Sequence, residues 1–157
     1  MADRVALFLA SRYDRNVLQG ISSRFQQGFG VTVAAVDDKQ TKLNVALGGS
    51  FFQQTLTPGS TARAARAFPA ARAAMDFRHR LTELAYVQQT AEYLPAIGDS
   101  TSAYFLNTES AIVAPISKKV GLKVGYVIRY NSEPPVRNRV QLRTTDTFFS
   151  SGLTLSF

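Results

Sequence analysis

Cysteine is absent from the 157 residues, which removes disulfide frameworks, thiolate nucleophiles and cysteine-based zinc sites. Long apolar runs are missing as well. The longest, Val5 to Ala10, is six residues, whereas a membrane-spanning helix needs about 20. A helical membrane protein is therefore excluded, but a membrane barrel is not. Barrel strands alternate apolar with polar residues, so their average hydropathy resembles that of a soluble protein, and the mean hydropathy here is −0.06. Tryptophan is absent and histidine occurs once, at His79. The start, Met1-Ala2-Asp3-Arg4 followed by apolar residues, lacks the basic region and apolar core of a secretory signal. An exported protein would carry its signal outside this stretch, and a larger barrel would have further N-terminal strands there as well.

What is present is 45% hydrophobic and 11% aromatic residues, enough apolar surface to rule out a disordered chain. Eighteen Lys and Arg against eleven Asp and Glu leave a charge of +7. The length allows one domain, 1–157. Six prolines, Pro58, Pro69, Pro95, Pro115, Pro134 and Pro135, punctuate it. Proline cannot donate to a strand ladder, so prolines between alternating segments mark strand ends. The punctuation predicts eight strands, near 4–15, 19–35, 41–54, 70–81, 84–94, 103–115, 119–131 and 146–157, an all-β antiparallel up-and-down arrangement. Thr57 to Phe68, rich in Ala and Arg, reads as a loop. Tight turns at 37–40, 82–83 and 117–118 alternate with longer connections at 57–68, 95–102 and 132–145. That is the asymmetry of bacterial outer-membrane barrels, with short turns on one rim and long loops on the other.

Alternation of period two is clearest in the seventh segment. Val120, Leu122, Val124, Tyr126, Ile128 and Tyr130 share one face; Gly121, Lys123, Gly125 and Arg129 lie on the other. In the second segment Ile21, Phe25, Phe29, Val31 and Val33 oppose Ser22, Arg24, Gln26 and Gly28. A soluble ligand-binding barrel would turn the apolar face inward and present a strongly charged exterior. Here the polar face consists of Gly, Ser, Thr, Gln and Asn with scattered charges of both signs, which suits the lumen of a narrow barrel. The apolar face is therefore expected to point outward, to lipid. An aromatic girdle would rest on Tyr and Phe alone.

The last segment carries Phe149, Leu153, Leu155 and Phe157 on one face, with Gly152 opposite. An alternating strand ending in an aromatic residue resembles the terminal signal of bacterial outer-membrane proteins, which implies the barrel-assembly machinery as a partner. A longer resemblance runs through Met75–Leu81 (MDFRHRL), Gln88–Pro95 (QQTAEYLP), Glu109–Tyr130, Asn131–Pro135 and Thr145–Thr147. These blocks are similar to the family of salt-induced outer-membrane proteins, described as a domain of unknown function. The similarity is good over roughly 70–157 and looser before it, at Ser11–Arg15 and Gly28–Gly30. It implies a transmembrane β-barrel of the bacterial outer membrane and brings no catalytic residue, cofactor or ligand with it.

Candidate sites follow from the polar face. Asp14, Asp76, Glu92 and Glu109, with Arg12, Arg24, Arg78, Arg80, Lys123 and Arg129, are expected to form a lumen charge network. It would plug the interior or, less simply, line an anion-selective path. Arg63, Arg66 and Arg72, with Arg137, Arg139 and Arg143, are assigned to two external loops, where they would meet the phosphates of lipopolysaccharide, although Arg72 also falls on the polar face of the 70–81 strand with Asp76. Nucleic acid is a poor partner, because no exposed aromatics interleave with these arginines. His79 lies an odd number of residues from Asp76, so the two face opposite sides of a strand and form no catalytic or metal pair. No Gly-x-Ser-x-Gly elbow or phosphate loop is present, and Gly48-Gly49 sits inside a strand. No catalysis, cofactor or metal is expected. Structural or osmotic-stress support of the envelope is the leading function, a small-solute or ion channel the first alternative, and a soluble barrel holding a hydrophobic ligand the second.

Overall fold

In a computed structural model of the chain, which describes residues 4–17, 20–61, 67–83, 85–98, 103–117, 120–137 and 139–155, eight long strands form one antiparallel sheet. They are β1 (Val5–Asn16), β2 (Ile21–Asp37), β3 (Thr41–Leu56), β5 (Ala67–Arg80), β6 (Tyr86–Pro95), β7 (Tyr104–Pro115), β8 (Val120–Asn131) and β11 (Thr145–Leu155). Each pairs with its sequence neighbour, in the order β1-β2-β3-β5-β6-β7-β8-β11. The sheet curls into a half-barrel; among the described residues no ladder joins β1 to β11. The shortest long strand has 10 residues, within the roughly 9–11 needed to cross a bilayer at a tilt.

The expected strands match these closely, because a period of two carried over ten or more residues is hard to mistake for a helix. Three features differ. Ser60–Thr61 (β4), Val136–Arg137 (β9) and Val140–Gln141 (β10) form a second small sheet, in the order β10-β9-β4. The two long connections read as loops thus pair with each other. Leu142 N–H donates to Pro135 O at 3.1 Å, turning β9 and β10 into a hairpin. This small sheet rests on Gly20, whose Cα lies so close to Leu142, Pro135 and Ser60 that a Cβ there would sit 2.6 Å from Leu142 Cδ1, and whose φ is 72°.

Pro69 is not a strand end. It lies inside β5 opposite Phe51. Its carbonyl accepts from Ile97 N–H at 2.9 Å, so its nitrogen also faces the β6 side, away from β3. The β5–β6 ladder begins only at Ala73, so the missing donor breaks no ladder bond.

The third difference is Ile21, placed by simple alternation on the outward face and found completely buried. A bulge between Ile21 and Ser23 adds a residue to β2 relative to both β1 and β3. One extra residue reverses every side chain beyond it.

The apolar face points outward. Leu7 is 85% exposed, Leu9 84%, Phe149 81% and Leu153 67%, and Phe29, Val31, Val33, Leu47, Val124 and Tyr126 continue the band around the sheet. Tyr93, Tyr104 and Tyr130 on β6, β7 and β8 pack ring to ring at 5.7 and 5.5 Å near the long-loop rim. Inside, an apolar cluster of Phe52, Phe68, Ala70, Leu94 and Phe105 occupies the same rim. The three rings form a triangle with centroids 5.0, 5.5 and 6.0 Å apart. No helix is long and apolar enough to cross a membrane among the described residues.

Candidate functional site

The concave face of the sheet holds the charged side chains, because the residues that alternate with the outward apolar band must point inward. Glu92 on β6 is the hub. Its Oε1 accepts from Arg72 Nε at 2.6 Å, and its Oε2 accepts from Arg12 Nη1 at 3.3 Å and Asn107 Nδ2 at 3.2 Å. One carboxylate thus ties β1, β5 and β7 to β6. The Arg72 guanidinium lies 4.7 Å over the Phe8 ring, and that ring covers Gly30. Asp14 Oδ1 accepts from Arg129 Nη1 at 2.8 Å, joining β1 to β8. Lys123 pairs with Glu109 across β7 and β8 at 2.7 Å.

Arg72 is the main correction. Expected in an external connection beside the lipopolysaccharide phosphates, it sits within β5 on the inner face with its guanidinium on Glu92. Its even spacing from Asp76 along one strand was the signal for this placement, since both then share a face. Among the described residues Asp76 pairs with no arginine; its Oδ2 accepts from Gln88 Nε2 at 3.0 Å. Arg78 and Arg80 lie toward the short-turn rim, both exposed, and the Arg78 guanidinium stacks 3.5 Å over the Tyr86 ring. These two stand apart from the ion pairs that Arg12, Asp14, Glu92, Glu109, Lys123 and Arg129 make.

Arg24 departs from the expected pairing in another way. It reaches into the apolar cluster, 4.7 Å over the Phe105 ring and 5.8 Å over Phe52, and donates from Nη2 to Gln54 Oε1 at 2.9 Å. Cation–π contact with two buried rings takes the place of a carboxylate. Those rings were not expected inside. Phe52, Phe68, Leu94 and Phe105 each lie close to the long-loop end of a strand, and the pair Phe51-Phe52 placed one ring on each face, so period alone could not tell which mattered.

The inner face therefore has two zones. The aromatic cluster fills the long-loop end, and the small sheet packs against Gly20 at the same rim. Below them a trough of about 840 Å³ is lined by Arg12, Arg72, Glu92, Lys123 and Arg129 and extends toward the short-turn end at Asn44, Asp76 and Gly152. Its walls carry charges of both signs, and Arg12, Arg72, Glu92, Glu109, Lys123 and Arg129 stand in ion pairs. Among the described residues no cluster of three or more His, Asp or Glu side chains is placed to hold a metal. His79 accepts or donates at Nδ1 with the Thr41 hydroxyl at 2.9 Å and stacks on Phe77, a structural role beside the turn.

Of the terminal residues, Phe149 and Leu153 point outward and Phe149 packs on Tyr126 at 5.3 Å. Gly152 has open space around it. The side chain of Leu155, and Phe157 entirely, lie outside the described residues. So do Arg63 and Arg66 and the Arg137 side chain, whereas Arg139 and Arg143 are exposed on the connection after β8.

A family model described as a protein of unknown function, DUF481, matches residues 1–157. No curated protein and no solved structure matches the chain.

Proposed function

The chain belongs to the DUF481 family over its full length, and on that premise we propose that it is a small β-barrel of the bacterial outer membrane. Its role there is structural, supporting the envelope under salt or osmotic stress, without catalysis. One observation carries this reading: the apolar band faces outward around a charged interior cross-linked by ion pairs. Such a surface is costly in water and suited to lipid. The tyrosines at the long-loop rim fit an interfacial girdle, where an amphipathic ring sits at the headgroup level. Arg139 and Arg143 on that side favour contact with lipopolysaccharide phosphates, and the outward Phe149 and Leu153 favour recognition of β11 by the assembly machinery.

A channel is disfavoured because the buried Phe52–Phe68–Phe105 triangle occupies the inner face at the long-loop end. A soluble carrier is disfavoured because the apolar face is on the wrong side for a hydrophobic ligand. The deciding experiment refolds the protein with detergent micelles and, in parallel, without detergent. The membrane reading expects folding only with detergent, faster gel mobility unheated than boiled, and insertion into lipid vesicles. A folded, monodisperse protein in detergent-free buffer would overturn it.

A further inference from the structure

Among the described residues the sheet has two open edges, and the inner-face contacts say how they meet. Asn16 Nδ2 on β1 donates to Asp146 Oδ2 on β11, the strand at the far end of the sheet. At the same level Asp14 on β1 accepts from Arg129 on β8, and Arg129 is the ladder partner of Asp146. The two edges thus touch at the long-loop end through side chains from both.

We propose that β1 and β11 zip together in lipid with Asn16 opposite Asp146, closing these eight strands into a barrel of their own. This rests on the membrane reading above, because only there must every edge group find a partner. Side-chain parity and backbone parity, which go together in a strand, both agree with the register. Asp14 and Asn16 on β1 share the inner face with Asp146 and Phe148 on β11, so paired residues must have numbers of like parity, as 16 and 146 do. The backbone agrees too. Ala34 N–H donates to Arg4 O and Asn131 N–H to Thr144 O, so even-numbered residues of β1 and β11 bond to their existing neighbours. The odd ones, Leu9, Ser11 and Tyr13 against Leu153, Ser151 and Phe149, then present their free N–H and C=O groups to one another.

The register also gives a sound barrel. Stepping across the ladders from Val5 leads to Val33, Val45, Met75, Ala91, Thr108, Ile128 and Thr147. In the proposed seam Thr147 faces Arg15, so one circuit returns to β1 ten residues on, from 5 to 15. With strands about 4.8 Å apart and a rise of about 3.3 Å per residue, eight strands with that stagger tilt by about 41°. Slipping the seam by two residues either way gives about 35° or 46°, the limits of the usual range. Both β2 bulges lie on β2 itself and leave the β1 alternation intact. The closed barrel has a radius of about 8 Å, wide enough for side chains and too narrow for an aqueous pore.

A chain without cysteine makes the test clean. In the proposed seam Ala10 faces Gly152, at a position that does not exchange backbone bonds, where Cα atoms approach within disulfide reach. A Cβ at Gly152 meets nothing within 4 Å. The variant Ala10→Cys/Gly152→Cys, refolded in micelles and in vesicles and oxidised, is compared with Ala10→Cys/Ser150→Cys and Ala10→Cys/Thr154→Cys, the registers slipped by two. The expected result is an intrachain disulfide in the first pair at several-fold the yield of either control. Equal yields, or a higher yield in a control, overturn the register. A disulfide-linked dimer overturns self-closure in favour of a second copy across the edges. Hydrogen exchange on the unsubstituted protein is the second measurement: amides of Leu9, Ser11 and Tyr13 must be protected in micelles, and fast exchange there overturns closure. Detergent-dependent folding with heat-sensitive mobility but no preferred disulfide defeats the seam alone and leaves the membrane reading standing.

Discussion

At the scale of single residues, Glu92 and the Gly30–Gly48 pair do the most with the least. Glu92 has a side chain only 12% exposed and bridges Arg72 and Arg12 with one carboxylate. Glu92→Gln keeps the shape but leaves two inward guanidinium groups facing each other. Loss of about 2–3 kcal/mol is expected, measured by urea unfolding in micelles, with Arg72→Met/Glu92→Gln recovering part of it. Gly48 faces Gly30 in the β2–β3 ladder, and a Cβ on it would lie 2.0 Å from Phe29 O. Gly48→Ala should cost about 3 kcal/mol, whereas Gly152→Ala should stay within about 0.5 kcal/mol. The same urea titrations compare them. Parity along β5 was enough to put Arg72 beside Asp76 on the inner face. That Glu92 is the hub was not legible, because which inward carboxylate an inward arginine reaches depends on the stagger of strands far apart in sequence.

At the scale of elements, the strands follow from alternation and the exceptions from local chemistry that alternation does not contain. The β2 bulge that turns Ile21 inward adds one residue among Ile21-Ser22-Ser23, where nothing in residue type marks it. The turn between β2 and β3 is held by Asp38, whose carboxylate accepts from the Thr41 and Gln40 N–H groups at 2.8 and 2.6 Å. Those amides, Thr41 first, hold its carboxyl below the ordinary value of 3.8. The sign follows: the folded pKa is the lower one, so the turn keeps this contribution above the ordinary carboxylate range and loses it as pH falls through the folded value. An NMR titration of the Asp38 carboxyl should find its midpoint below 3.8. The outward face of β8 supplies a test of what surrounds it. Val124→Arg, in mid-strand on the exposed apolar band, should cost about 2–4 kcal/mol in a bilayer and almost nothing if that face meets water. Unfolding in lipid vesicles measures it.

For the whole molecule, the interior divides into an aromatic long-loop end and a charged trough open toward the short turns. That division predicts no discrete conductance steps when the protein is reconstituted in planar bilayers; steady unitary currents would restore the channel reading. The sequence by itself determined the number of long strands, their near-exact bounds and the outward direction of the apolar band. Each of these depends only on period-two alternation and on where turn residues fall, both local properties. Tertiary structure decided which charges pair, that phenylalanines fill one end, that two loops pair into a small sheet, and that the sheet's edges meet at Asn16 and Asp146. These depend on the registers of seven ladders added around the curl, and a shift of two residues in any one would change every cross-lumen neighbour while leaving the alternation unaltered.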